Sequence, residues 1–275
     1  MKIVESSVVS KTGIFEDCED IIVATNDFAA VIDGATNKSN GLINGKRSGF
    51  IAASTLADAI KSLPREINKL EAIQELTISI AKIYKQNKIF EYMSENSSER
   101  ASASLVIYSD YYGEVWMVGD CQCIANNKLH MNYRIVDNIL ANTRALYLEL
   151  ELVSGKNIDD LMEQDTGREF IEPILKRQSL FQNSHIRNEY SYGVIDGFRV
   201  SEAYAKTIKI DKHSQTLVLA SDGYPELMSS IEASERKLEE FLREDPLCIR
   251  IHKFTKGLTK QTISYDDRAY LKIEL

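Results

Sequence analysis

Five acidic sites in this chain stand where apolar runs begin or end. Glu16-Asp17 precedes "IIVAT", Asp33-Gly34 closes "FAAVI", Gly119-Asp120 closes "EVWMV", Asp222-Gly223 closes "TLVLAS", and Asp266-Asp267 precedes "RAYLKIEL". Carboxylates at the ends of buried strands repel one another and are costly to desolvate if they converge. A divalent cation removes that conflict, and oxygen donors without His or Cys select Mg²⁺ or Mn²⁺ over zinc. Gly after Asp lets the carbonyl approach a metal, because no Cβ intervenes. Each Asp-Gly taken alone reads more readily as a turn. Asp196-Gly197 in "YGVIDGFRV" is read that way, as a hairpin between two strand-like runs.

The elements that must position these residues are strands in hairpins, interrupted by helical pairs. "IIVAT" and "FAAVID" flank Asn26-Asp27, a natural hairpin turn. Apolar residues at helical spacing predict one helix up to Pro64 and another over about 70–93. "ASASLVIYSDYYGEVWMVGDCQCIANNKLH" reads as a three-strand antiparallel meander, and residues 135–182 as helical. Strands are expected again through "YSYGVIDGFRVSEAYAKTIKI" and "TLVLAS", then helices at "ASERKLEEFLRED" and "PLCIRIHKFTKGL", then a last strand. This is not the regular alternation of a parallel α/β fold; it predicts antiparallel sheets covered by helices.

The order of the set, "ED", "VIDG", "SASLVIY", "VWMVGD", "LVLASDG" and "SYDDRAYLKI", resembles the PP2C-like metal-dependent protein phosphatases (the PPM family) over nearly the whole chain. Ser221-Asp222-Gly223 matches that family's "SDG" in full, and Gly119-Asp120 resembles its "GDS" with Cys121 in place of Ser. The resemblance implies an α+β fold, a four-layer αββα sandwich of two antiparallel sheets flanked by helices. It implies one such domain over 1–275, with a variable helical or flap insertion at about 135–190. It implies two Mg²⁺ or Mn²⁺ ions held by Asp33, the Gly34 carbonyl, Asp222 and Asp266, with a looser third ion at Asp120. Glu16 and Asp17 would orient metal-bound waters. A metal-activated hydroxide would attack phosphorus in line and release a seryl or threonyl oxygen, so the implied partner is a phosphoserine or phosphothreonine protein.

Three departures bear on that reading. Thr12 stands where the family places a phosphate-gripping Arg, which leaves the neighbouring Lys11 as the candidate phosphate ligand. Ala35 follows Asp33-Gly34 where some members carry a His, and residues 135–190 carry no familiar motif. Two other readings stay open: a PP2C-like regulatory or binding module with weak or no activity, and a phosphatase of a small-molecule phosphomonoester.

The bulk properties exclude little else. The 275 residues are 44% hydrophobic and 27% charged, ordinary for a soluble globular chain. A net charge of −8 argues against nucleic acid or an anionic membrane as partner. With no signal-like or membrane-length apolar run, a cytoplasmic monomer is expected. "GLINGKRS" is no phosphate loop, since Asn40 stands where the first Gly should be and Arg47 where Ser or Thr should be. Cys18, Cys121, Cys123 and Cys248 read as free thiols, and the four His have no ligand spacing.

Overall fold

The hairpin expected around Asn26-Asp27 forms: β2 (Asp20–Ala24) pairs antiparallel with β3 (Phe28–Ala35). The computed structural model describes residues 1–37 and 41–275; Asn40, where a phosphate loop would place its first Gly, lies outside the described residues. In chain order the elements are β1 (Lys2–Val9), β2, β3, β4 (Leu42–Ile43), β5 (Lys46–Arg47), α1 (Ser48–Lys61), α2 (Lys69–Gln86), α3 (Phe90–Glu95), β6 (Ser102–Ser109), β7 (Glu114–Val118), β8 (Gln122–Ala125) and β9 (Lys128–Met131). There follow α4 (Ile135–Val153), α5 (Ile158–Glu163), α6 (Thr166–Arg177), β10 (Lys206–Lys209), β11 (Thr216–Ala220), α7 (Ile231–Glu244) and β12 (Arg268–Glu274).

Two five-stranded antiparallel sheets result, in the orders β10-β7-β6-β3-β2 and β1-β12-β11-β8-β9. Period-two alternation sends β3 side chains to opposite faces. Ala29 and Val31 pack between the sheets against Val106, Leu219 and Leu271, whereas Phe28, Ala30 and Ile32 pack outward against Ala53, Leu56, Ile60 and Leu76 of α1 and α2. On the far side, Val218, Ala220 and Tyr270 meet Tyr224 and Ile231, the first residue of α7. The fold is thus an α+β, four-layer αββα sandwich.

Local chemistry sets the helix starts. Asn68 and Glu71 form a reciprocal capping box on α2, a device that contributes about 1 kcal/mol. No side chain caps α1 from its own N-cap; the carboxylate of Glu19 accepts from Phe50 N instead (3.1 Å), where the helix dipole favours negative charge.

Five points of the sequence reading need correction. β1 was not read from the sequence, although it forms the edge of a sheet beside β12. The meander is not one sheet: β6 and β7 belong to the first, but β8 crosses to the second and pairs with β11. Of the strands expected through 190–210, only β10 is one. Asp196 is no hairpin residue; it is fully buried and accepts from Arg100 (3.1 Å), Gln182 (2.8 Å), Asn183 (2.8 Å) and Phe198 N (3.0 Å). Finally, 246–258 is irregular rather than helical. The Asp245 carboxylate takes the amides of Ile249, Arg250 and Ile251 (2.7–3.1 Å), which removes them from any helical ladder.

Candidate metal centre

The strand ends meet. Asp20 opens β2 directly opposite Asp33 near the end of β3, and Asp33 is opposite Ser104 on β6. Asp222 follows β11, Asp266 and Asp267 precede β12, and Asp120 lies where the chain passes from β7 in one sheet to β8 in the other. Carboxylate oxygens of Asp33, Asp120 and Asp222 lie within 4.8 Å of one another. They open into a pocket of about 430 Å³ that is also lined by Lys11, Gly34, Arg134, Arg168, Lys256 and Asp266.

Contacts to backbone atoms fix the loop that carries Asp222. Ser221 accepts Ala269 N on its hydroxyl (2.8 Å), its carbonyl receives Gln122 Nε2 (3.0 Å), and Tyr265 donates to the Asp222 carbonyl (2.9 Å). Gly223 is required by close approach rather than by turn geometry: a Cβ there would lie 2.7 Å from Arg268 Cβ and against the Asp267 carbonyl. Gly34 has a similar reason, since a Cβ would press on the carbonyls of Glu19 (2.7 Å) and Gly49. Gly34 lines the pocket, but the need for glycine comes from packing against α1.

The electrostatics follow from the crowding. Burial, then neighbouring Asp20 and Asp120, holds Asp33 well above the usual carboxylate range; burial, then Asp33 and Asp120, does the same for Asp222. Burial also raises Asp20. Asp20 is 4% exposed; the neighbouring Ser221 hydroxyl opposes its rise, but no well-formed hydrogen bond reaches its Oδ2 among the described residues. A buried carboxylate oxygen without a donor beside three clustered carboxylates is what a hard cation would satisfy. The donor set at Asp33, Asp120 and Asp222 therefore fits a hard divalent cation.

The remaining expected residues separate. Glu16 and Asp17 sit in a 3₁₀ turn (Phe15–Asp17) and do not line the pocket that holds Asp33, Asp120 and Asp222. Asp17 instead accepts from Thr12 Oγ1 (2.9 Å), and its carbonyl takes Arg47 (2.5 Å). The acidic pair beside the cluster is Glu19-Asp20, three residues on in "FEDCED". The resemblance points to the first pair; the pairing of Asp20 with Asp33 across β2 and β3 singles out the second. Lys11 does line the pocket, but its amide and ammonium both donate to Asp267 (2.8 and 3.3 Å). Asp267 also receives Glu19 N (3.1 Å), which makes it a tie between the chain's two ends.

Cationic residues were missed. Arg134 donates to Asp120 Oδ1 (2.8 Å) and Ser104 Oγ (2.9 Å), and its guanidinium lies 4.7 Å from the Tyr192 ring centroid. Burial alone would lower Arg134, but Asp120 and Asp137 outweigh it and hold the group above its ordinary range. Lys256 contacts Asp266 Oδ2. Burial opposes its charge, yet Asp266 and Asp222 push its pKa up to about 12. In return Asp266, which burial would raise, is held below the usual range by Lys256 and Lys11. Arg168 of α6 also lines the pocket and donates to the Thr255 carbonyl (2.8 Å).

Thiol chemistry has no support. All four cysteines are buried, and burial pushes Cys18, Cys123 and Cys248 up to about 12 and Cys121 higher than its ordinary value. A thiolate nucleophile needs the opposite shift.

No family model matches this chain, and no curated protein matches it. Solved structures similar to it include the serine/threonine phosphatase PstP/Ppp of Mycobacterium tuberculosis, at 11% identity and TM-score 0.49, covering 100% of this chain and 99% of that one. Stp1 of Staphylococcus aureus is similar at 16% identity and TM-score 0.45 (100% and 97% covered). The PPM Ser-Thr phosphatase MsPP of Mycobacterium smegmatis, in complex with cacodylate, is similar at 12% identity and TM-score 0.47 (100% of both chains). The functional reading rests on the site's own residues.

Proposed function

We propose that the chain is a metal-dependent phosphomonoester hydrolase acting on phosphoserine or phosphothreonine in proteins. The observation that carries this is the convergence of Asp33, Asp120 and Asp222, from both sheets, in an open pocket rimmed by cations. Those three carboxylates would hold Mg²⁺ or Mn²⁺. A divalent cation there supplies an acidified water as nucleophile and offsets charge on the phosphoryl oxygens. The chain's own groups do the rest. Arg134 fixes Asp120 in place through two short bonds shared with Ser104. Arg168 keeps guanidinium hydrogens beyond its bond to Thr255, so it suits a phosphate dianion better than Lys11, whose ammonium Asp267 already holds. No histidine lines the pocket among the described residues, and in this reading a water protonates the leaving group.

Hydrolysis of a phosphopeptide is measured with Mn²⁺, with EDTA, and for Asp33→Asn and Asp222→Asn. The expected result is loss of activity under chelation and in both variants. Activity that survives all three overturns the proposal. A second reading, a binding module of the same fold, is favoured by Thr12 and by the Lys256–Asp266 contact; wild-type turnover with Mn²⁺ excludes it. Comparing phosphopeptides with small phosphomonoesters separates the two substrate classes.

A further inference from the structure

The carboxylates around the pocket are not equivalent, and the difference lies in one lysine. Asp33, Asp120 and Asp222 bring oxygens within 4.8 Å of one another, and Asp266 is not part of that group. Asp266 is instead in contact with the ammonium of Lys256. Lys256 also acts on the rest of the cluster, since its charge opposes the upward shift of both Asp33 and Asp222. A cation thus already stands among these carboxylates, and it belongs to the chain.

Its placement is constructed. Lys256 lies near the end of the irregular stretch 246–258 that Asp245 anchors through three consecutive amides. Arg144, 1% exposed, pins the same stretch by donating to the carbonyls of Leu247 (2.8 Å) and Phe254 (3.1 Å) while paired with Asp165. Arg168 takes the carbonyl of Thr255, the residue before Lys256. Gly257 follows because a Cβ there would lie 2.6 Å from the Leu247 carbonyl. These contacts fix the backbone around Lys256, and its side chain, 37% exposed, reaches Asp266 from there.

We infer that Lys256 replaces a divalent cation at Asp266, so that this site takes one Mg²⁺ or Mn²⁺ ion rather than two. The physical reason is charge and room. Asp266 Oδ2 holds the ammonium and Oδ1 accepts Asp267 N (3.0 Å), and a divalent ion placed beside the ammonium would be repelled at short range. The single ion belongs to Asp33, Asp120 and Asp222, with the unpartnered Oδ2 of buried Asp20 beside them as a second indication of a bound cation. The inference rests on the metal reading of this site and revises its stoichiometry.

The test is ion count, not turnover. Wild type, Lys256→Met, Asp266→Asn and the double variant are dialysed to equilibrium against Mn²⁺, and bound metal per chain is measured by elemental analysis, with folding checked by circular dichroism. One ion is expected in wild type and in Asp266→Asn, two in Lys256→Met, and one again in the double variant. Two ions in wild type, one of them lost in Asp266→Asn, overturn the inference; so does a single ion in folded Lys256→Met. If Lys256→Met does not fold, the wild-type and Asp266→Asn counts decide. No ion in any variant overturns the metal reading itself. One bound ion without phosphatase activity counts against the hydrolase and leaves the ion count standing.

Discussion

Replacing Asp33 by Asn separates what the acidic cluster costs from what a cation returns. Asp33 has carboxylate neighbours within 4.8 Å in Asp120 and Asp222. At an effective dielectric constant of about 20, unit charges at 4.8 Å repel by roughly 3.5 kcal/mol per pair. Proton uptake relieves most of that, leaving about 1–3 kcal/mol for the amide to recover. Without metal, Asp33→Asn is therefore expected to be more stable than wild type. The effect has a sign in pH. Asp33 is raised in the folded chain by burial and by Asp20 and Asp120, so the folded state binds a proton that the unfolded state releases first. That contribution is complete below the unfolded pKa and is lost as pH rises through the folded one. The advantage of the variant over wild type should thus widen as pH climbs above about 4. Cation reverses the comparison: at 100 times its dissociation constant it adds about 2.7 kcal/mol to wild type, or ~5–10 °C in Tm for a chain of this size. The variant should lose most of that gain. Thermal unfolding in EDTA and in Mn²⁺, from pH 5 to 8, measures all three. An Asp33→Asn chain less stable than wild type in EDTA, or one that keeps the full manganese gain, refutes the reasoning.

Other substitutions follow from the same contacts. Asp20→Asn should weaken Mn²⁺ binding in calorimetric titration, while Asp17→Asn, outside the pocket, should leave it unchanged; the reverse ranking would restore the first acidic pair to the site. Gly223→Ala should cost about 1–3 kcal/mol in urea unfolding, because its Cβ would meet Arg268 and the Asp267 carbonyl; a neutral result would mean that β12 yields. Asp196→Ala leaves Arg100, whose side chain is 10% exposed, without its buried partner, and should cost about 3–5 kcal/mol in the same assay. A loss under 1 kcal/mol there would return Asp196 to an ordinary turn.

Much of the site could be read because its residues mark strand ends, and strand ends are local signals. Apolar runs and turn pairs locate Asp33, Asp120, Asp222 and Asp266 without any tertiary knowledge. What sequence did not carry was set by partners far along the chain. Glu16-Asp17 and Glu19-Asp20 have the same two letters, and only the pairing of Asp20 with Asp33 across β2 and β3 distinguishes them. Asp196-Gly197 looks like punctuation until Arg100, Gln182 and Asn183 arrive from other segments. The stretch 246–258 has helical periodicity, but Asp245 claims its amides. Arg134 and Lys256 belong to no motif; their roles come from long-range geometry. β8 was legible as a strand, whereas its sheet was not, because local alternation does not say which neighbour a strand will choose.

The passage of the chain from β7 to β8 through Asp120 gives the site a mechanical meaning. Asp33 rides on one sheet, Asp222 follows a strand of the other, and Asp120 occupies the bridge between them. A cation gripped by all three is a clasp across the mouth of the sandwich, while Val31, Val106, Leu219 and Leu271 keep the seam closed beneath it. Unfastening that clasp breaks no hydrogen bond within either sheet. Removing such a cation would leave each sheet's own hydrogen bonds in place and act on the seam between them.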